Sequence, residues 1–367
     1  MNKTIIGNGM FVAMIVNLAF VKSIGVTQGT LARIVGQDMW LATLLGTLQG
    51  IVMMYVTYLV IRRKPNLDFI GMGEKLLGKW FGKIVAVTMF GFFLAASGPI
   101  MLTFVYHLRD YFLPEAPLTL FLVSALIVGA LGCYYGLEVM ARLALLGLLF
   151  IFMLNVLIIV GSTQEFDIRN LLPILESGFS KVAGASLQYD ADCALAIMMA
   201  ALVMPHLKDV KRRGGKLGML GVAASGLIIL IWSFLQGAVL SAEVTAQYTV
   251  SCMKLARNAH IGMFLQRYEM IMIALYSVPI LFEIMFCIYG TSRCASALFG
   301  LKNDRWTILP AALIIGVFSY WVIKDHFFAL DYLENAWPKI GVSIAFGLPV
   351  VLLVLQLLFG KRLKRAR

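Results

Sequence analysis

Charge is what this chain has little of. Asp, Glu, Lys and Arg make up 14% of its 367 residues, against about 25% in soluble proteins. That is too little to build a water-facing surface around 40.6 kDa. With 60% hydrophobic residues and a mean hydropathy of +0.87, the solvent must be lipid, and the class is a polytopic membrane protein. A cytosolic enzyme, a secreted scaffold and a nucleic-acid-binding protein are excluded on the same ground. Cysteine is scarce as well. Cys133 and Cys294 fall near one face, Cys193 and Cys287 inside apolar stretches, and only Cys252 in a loop on the other face, so no intrachain disulfide is available there. There is no Cys-x-x-Cys, no His-Glu-x-x-His and no nucleophile elbow, so no metal, no cofactor and no enzyme activity is expected.

What the chain does have is ten long apolar stretches: residues 10–31, 41–61, 85–106, 118–135, 143–160, 183–204, 217–240, 270–289, 306–323 and 340–359. A hydrocarbon core about 30 Å thick is crossed by roughly 20 helical residues, so each stretch spans once. The runs are continuous rather than alternating, which points to helices and not a barrel. The expected fold is therefore an all-α membrane protein of ten transmembrane helices. It forms a single domain over 1–367, with a basic tail at 361–367 that can also touch anionic lipid. An even number of crossings puts both termini on one side. That side carries 21 Lys and Arg and the other nine, with Lys22 inside helix one, so the termini are expected in the cytoplasm. Helix one is read as a retained span, because Lys22 and the lack of a small-residue cleavage pattern argue against a signal peptide. The longer outer loops are 161–181 and 241–267. In the second, Tyr248, Cys252, Met253 and Leu255 mix with Lys254, Arg257 and His260, which suits a short amphipathic helix at the interface or a plain loop.

Two helices are interrupted by polar residues. Helix one contains Lys22-Ser23-Ile24-Gly25-Val26-Thr27-Gln28-Gly29-Thr30, and helix six contains Gln188-Tyr189-Asp190-Ala191-Asp192-Cys193. These helices open two halves of five, about 5–162 and 182–360. Polar breaks at matching positions of two halves mark an inverted-repeat transporter with a binding site at the midplane. Two kinked but intact helices are the plainer alternative. On an α-helix, residues two apart point nearly opposite ways, whereas in extended backbone they share a face. Unwinding would thus let Asp190 and Asp192 look into one cavity. An ionised Asp facing lipid costs roughly 2.5–3.5 kcal/mol, so both need a use or a partner, and one of them holding a proton is a further option. Lys22 is expected to pair with Asp190 or Asp192, or else to snorkel to an interface. Glu283, four residues after Pro279, is a candidate proton-coupling carboxylate or a member of an internal ion pair. Glu269 with Arg267 reads as an interfacial pair. Ser97-Gly98-Pro99 in helix three can kink the helix and free a carbonyl, with Thr103 and Tyr106 following. The candidate ligand site is Ser23, Ile24, Gly25, Val26, Tyr189, Asp190 and Asp192. Half-helix amides near Gly25 and Val26 would hold a carboxylate, and the acids an ammonium.

Tyr135-Gly136-Leu137-Glu138-Val139-Met140-Ala141-Arg142 resembles the Gly-Leu-Glu-Val-x-Ala-Arg signature of bacterial spore germinant-receptor permeases, the B subunits of those receptors. Gly36-Gln37-Asp38-Met39-Trp40, Asn170-Leu171-Leu172-Pro173-Ile174-Leu175-Glu176-Ser177-Gly178, Pro205-His206-Leu207-Lys208-Asp209 and Arg267-Tyr268-Glu269 match in order along the chain. The resemblance implies a branch of the amino acid, polyamine and organocation transporter superfamily with a leucine-transporter-like fold. It also implies a nutrient germinant, typically an amino acid, sensed at the spore inner membrane in a complex with A-type and C-type subunits. A proton-coupled amino acid or polyamine permease is the other function it allows. Ser23-Ile24-Gly25 stands where relatives have a Gly-x-Gly-like break, and Asp192 where they have Glu. Lys22 and Glu283 also depart from the family pattern.

Overall fold

The structure, a computed structural model, describes residues 5–260, 268–301 and 303–364, with side chains as far as Phe359. Lys3, Arg267 and the basic tail side chains lie outside that set. No strand occurs among the described residues beyond one bridge between Ile6 and Leu207. Among the described residues, nine stretches are long and apolar enough to cross a membrane. The first, Asn8–Arg62, has 55 residues, and as one rod it would measure about 80 Å. It is divided at Gly36, whose φ of 58° only glycine adopts freely.

Divided there, the long helices are α1 (8–35), α2 (Met39–Arg62), α3 (Lys79–Tyr111), α4 (Leu118–Tyr135), α5 (Leu137–Gly161), α6 (Phe179–Val203), α7 (Gly215–Leu235), α8 (Tyr268–Phe299), α9 (Arg305–Ile323) and α10 (Trp337–Lys364). Short helices lie at Phe69–Leu77, Ala242–Gln247, Ser251–Asn258 and His326–Asp331. Two groups of four pack among themselves: α1, α2, α6 and α7, and α3, α4, α8 and α9. Two helices bridge them, α5 leaning on α1 and α8, and α10 on α6 and α3. Replacing each helix by the one five places on maps these contacts onto each other. α1 and α6 are the most enclosed, while α4, α5 and α10 turn large apolar side chains outward, as lipid-facing helices do.

The interruption of α1 is real but is not an unwinding. Residues Ser23–Thr27 form a π-helical turn between Asn8–Lys22 and Gln28–Val35. For α6 the expected break is absent, and the helix runs uninterrupted from Phe179 to Val203. Its polar groups find partners on neighbouring helices, so the backbone has no need to open. Close approach is bought with small residues. A Cβ on Gly50 would come within 3.0 Å of Cys193 Sγ on α6, so α2 lies directly against α6. In α3, Pro99 removes the amide that would bond the Ala95 carbonyl four residues back. The Tyr332 hydroxyl donates to that oxygen instead, at 3.0 Å.

Candidate functional site

In an α-helix, residues five apart sit about 140° apart around the axis, but a π turn, closing i to i+5, brings them nearly into line. The turn at Ser23–Thr27 therefore places Lys22 and Thr27 on one face, toward α6. There they meet Asp192. Lys22 Nζ forms an ion pair with Asp192 Oδ1 and also donates to Thr27 Oγ1 at 3.0 Å. Ser23 and Thr27 each donate to Asp192 Oδ2 at 2.7 Å. All four side chains are buried.

Carbonyls loosened by the turn are taken up by the protein. Val21 O accepts from the Tyr276 hydroxyl at 3.1 Å, Ile24 O from Gln236 at 2.9 Å and Gly25 O from Ser251 at 3.1 Å. No half-helix terminus is left at Gly25 and Val26 to hold a carboxylate, contrary to the expectation from sequence. Ile24 and Val26 are fully buried, and Gly25 backs onto His107 and Cys252.

The two acids of α6 part company as helical geometry requires. Asp192 faces α1, while Asp190 faces α2. There the Gln49 amide, oriented by its hydrogen bonds, donates to the Asp190 carboxyl at 2.6 Å. Tyr189 lies with Asp190 against Gly46. Hence Lys22, Ser23 and Asp192 come together, and Tyr189 and Asp190 stand outside their cluster. Glu283 joins it from α8. With Pro99 of α3 and Trp337 of α10, it lines a small cavity beside Lys22 and Asp192 in which a water centre has about 10 Å³, room for about one water. Thr27, Gln49 and Trp337 carry weight that the sequence did not assign. Only Thr27, inside the polar patch, gave any signal.

Both ends of this cavity are covered. Toward Gly36, the His107 ring stacks on Tyr276 with centroids 4.7 Å apart; its Nδ1 lies 2.6 Å from Thr103 O, and its Nε2 faces Cys252 Sγ at 3.6 Å. Ser251–Asn258 packs over α1 and α8, buried along Cys252, Met253 and Leu255, so this amphipathic helix caps the bundle rather than lying at a lipid interface. Beyond it, Arg33 pairs with Glu334, whose carbonyl accepts from Gln188 at 2.8 Å. At the opposite end, a hollow of about 600 Å³ opens beside Phe69–Leu77 and reaches Leu202, ten residues or about 15 Å along α6 from Asp192. Arg293 ties Asp68 to Asp304 at its rim, at 3.3 and 3.4 Å.

The sequence profile of a family described as "Spore germination protein" matches residues 6–327. The chain belongs to that family. Spore germination protein KB of Bacillus subtilis (strain 168) is 25% identical over 382 residues, covering 100% of this chain and 98% of the relative. Among solved structures, the fold is similar to that of a substrate-bound, outward-open Na+-coupled sialic acid symporter (TM-score 0.70, 11% identity, 96% of this chain and 79% of the other). It is also similar to that of Mhp1, a nucleobase-cation-symport-1 family transporter in a closed conformation (TM-score 0.69, 10% identity, 97% and 94%). This spore germination protein thus has the leucine-transporter-like fold that the resemblance implied, and its family and fold are those of permeases.

Proposed function

We propose that the chain is the nutrient-sensing membrane subunit of a spore germination receptor, binding a small nutrient such as an amino acid between α1 and α6. The carrying observation is the buried cluster of Lys22, Ser23, Thr27 and Asp192 beside a closed cavity, where two enclosed helices of a transporter-like fold meet. The reading takes residues 5–162 and 182–360 as two repeats, supported by the way the helix contacts map onto each other five places on. It places both termini in the cytoplasm, on the strength of the Lys and Arg distribution, the protein in the spore inner membrane, and A-type and C-type subunits beside it.

The cavity has room for about one water, so binding a nutrient requires a state with a larger site. A ligand shifts the equilibrium toward a state with a larger site only by its difference in affinity between the two. Breaking the clamp on Asp192 and parting the cap at Ser251–Asn258 are the local events such a shift requires. The test is binding of a panel of labelled amino acids to the full chain in nanodiscs. Asp192→Asn and Gly25→Trp, the latter driving an indole into His107 and Cys252, are each expected to weaken binding at least tenfold. Normal binding by both variants would place the site elsewhere. Glu283 in the cavity wall favours a second reading, a proton-coupled amino acid or polyamine permease. That reading requires labelled solute to accumulate in vesicles containing this chain alone under a pH gradient.

A further inference from the structure

Between the outward faces of α4 and α9 runs a groove of about 460 Å³. Ile127 and Leu131 of α4 form one bank, and Leu309 and Leu313 of α9 the other. Within each pair the residues are four apart, so they stand on one side of their helix, and all four are exposed. Ala130 and Ala312 line the space between, too short to fill it. Beyond Leu313 the helices close up, since a Cβ on Gly316 would stand 2.7 Å from Leu126.

One end of this apolar groove is charged. Arg305 opens α9 and lies over the Tyr134 ring, with its guanidinium carbon 4.9 Å from the centroid, and both residues line the groove. The adjacent Asp304 is held by Arg293, and Arg305 itself has no ion pair among the described residues. Tyr135 and Trp306 beside them are exposed, as aromatic side chains are where hydrocarbon gives way to headgroups. From Arg305 to Gly316 is about 16 Å of helix, close to one leaflet of a hydrocarbon core about 30 Å thick.

An occupant that fits is apolar over the depth of one leaflet and anionic at its end. We propose that the groove binds an anionic phospholipid, with an acyl chain between the banks and the phosphate on Arg305. In the orientation proposed above, that lipid belongs to the cytoplasmic leaflet. The guanidinium can hold two phosphate oxygens at once, and the Tyr134 ring steadies it without neutralising it. A zwitterionic phospholipid carries its own cation beside the phosphate and is a weaker fit. A protein helix could cover the banks but would need an acid at this one level to answer Arg305, which every anionic lipid supplies. Neither α4 nor α9 contributes to the cluster around Asp192, so this site stands or falls apart from the nutrient site.

The test adds lipid to the detergent-purified full chain and reads the shift in thermal unfolding. Dioleoylphosphatidylglycerol is expected to act at about a fivefold lower concentration than dioleoylphosphatidylcholine, the margin one basic residue gives beside anionic headgroups. Glycerol phosphate, the headgroup without chains, is expected to give no shift. Arg305→Gln is expected to bring the two lipids level, while Arg212→Gln, another exposed basic residue, keeps the preference. Equal responses to the two lipids in wild type overturn the proposal, as does a preference that survives Arg305→Gln. An equal loss in both variants reduces the effect to general surface charge and overturns it too. A shift with glycerol phosphate matching that of the lipid would leave the groove without a role. Cross-linking of Leu309→Cys to a second copy or to a partner subunit in membranes gives the groove to a protein and overturns the lipid site.

Discussion

Lys22 and Thr27, five residues apart, hold the same carboxylate, that of Asp192, 165 residues beyond Thr27 in sequence. Only the π turn between them allows it. A buried ion pair broken on one side leaves a bare charge, at a cost of about 3–5 kcal/mol, whereas replacing both partners by apolar groups is often neutral. Lys22→Met and Asp192→Leu are therefore expected to destabilise the protein by about 3–5 kcal/mol singly, and their combination by far less. Thr27→Val, which removes two hydrogen bonds to charged groups, one donated to Asp192 and one accepted from Lys22, is expected to cost at least about 1.5–3 kcal/mol. Unfolding in mixed micelles measures all four, and a double variant as unstable as the sum of the singles would show that the clamp is not a unit.

The crossing of α1 and α5 is set by Asn17 and Gly147. Asn17 donates to Ala13 O at 2.7 Å and to Ala144 O at 2.9 Å, and a Cβ on Gly147 would fall on its amide. Gly147→Ala is expected to cost about 1–3 kcal/mol through overpacking. Asn17→Ala opens room for the added methyl, so the double variant should lose less than the two singles together. Strict additivity in the same unfolding assay would contradict the contact.

Pro99 and Tyr332 form a second coupled pair. Tyr332→Phe strands the Ala95 carbonyl that Pro99 freed, which is expected to cost about 1–3 kcal/mol. In a Pro99→Ala background, the restored amide bonds Ala95 O within the helix, and Tyr332→Phe should then be nearly silent. An equal loss in both backgrounds would assign the tyrosine's effect to packing alone.

The helices were legible because lipid dictates their length: a run of apolar residues near 20 has little else to be. The pairing of Lys22 with one of two acids about 170 residues away was legible too, because a buried charge requires a partner. What failed was the inference from a polar patch to a broken backbone. Such a patch shows that polar groups need partners, and it cannot say whether the helix opens or a neighbour comes. For α6 the neighbours came, with Gln49 taking Asp190 and the π turn of α1 taking Asp192. Gln49, His107 and Trp337 carried no signal, since each sits in its own run as an ordinary residue and acquires its role from a helix far away in sequence. Two stretches of family resemblance find their reason in the structure. Asp38 of one accepts from the Leu175 and Ser177 amides of the other at 2.7 and 3.0 Å, pinning the loop after α5 to the turn between α1 and α2.

Arg33 and Glu334 link the end of α1 to the entry of α10. Both side chains are about one-third exposed, so the pair contributes no more than about 0.2–1 kcal/mol. That is little for stability but enough to shift a closed-to-open equilibrium up to about fivefold. Cys252, 0% exposed on the inner face of the cap helix Ser251–Asn258, reports the opening. Arg33→Gln and Glu334→Gln are each expected to raise its labelling by a polar maleimide two- to fivefold, with the fold unchanged by circular dichroism. The swap Arg33→Glu with Glu334→Arg should return labelling toward the wild-type rate. If labelling ignores all three variants while the other four cysteines stay protected, the cap opens by a movement that does not separate α1 from α10.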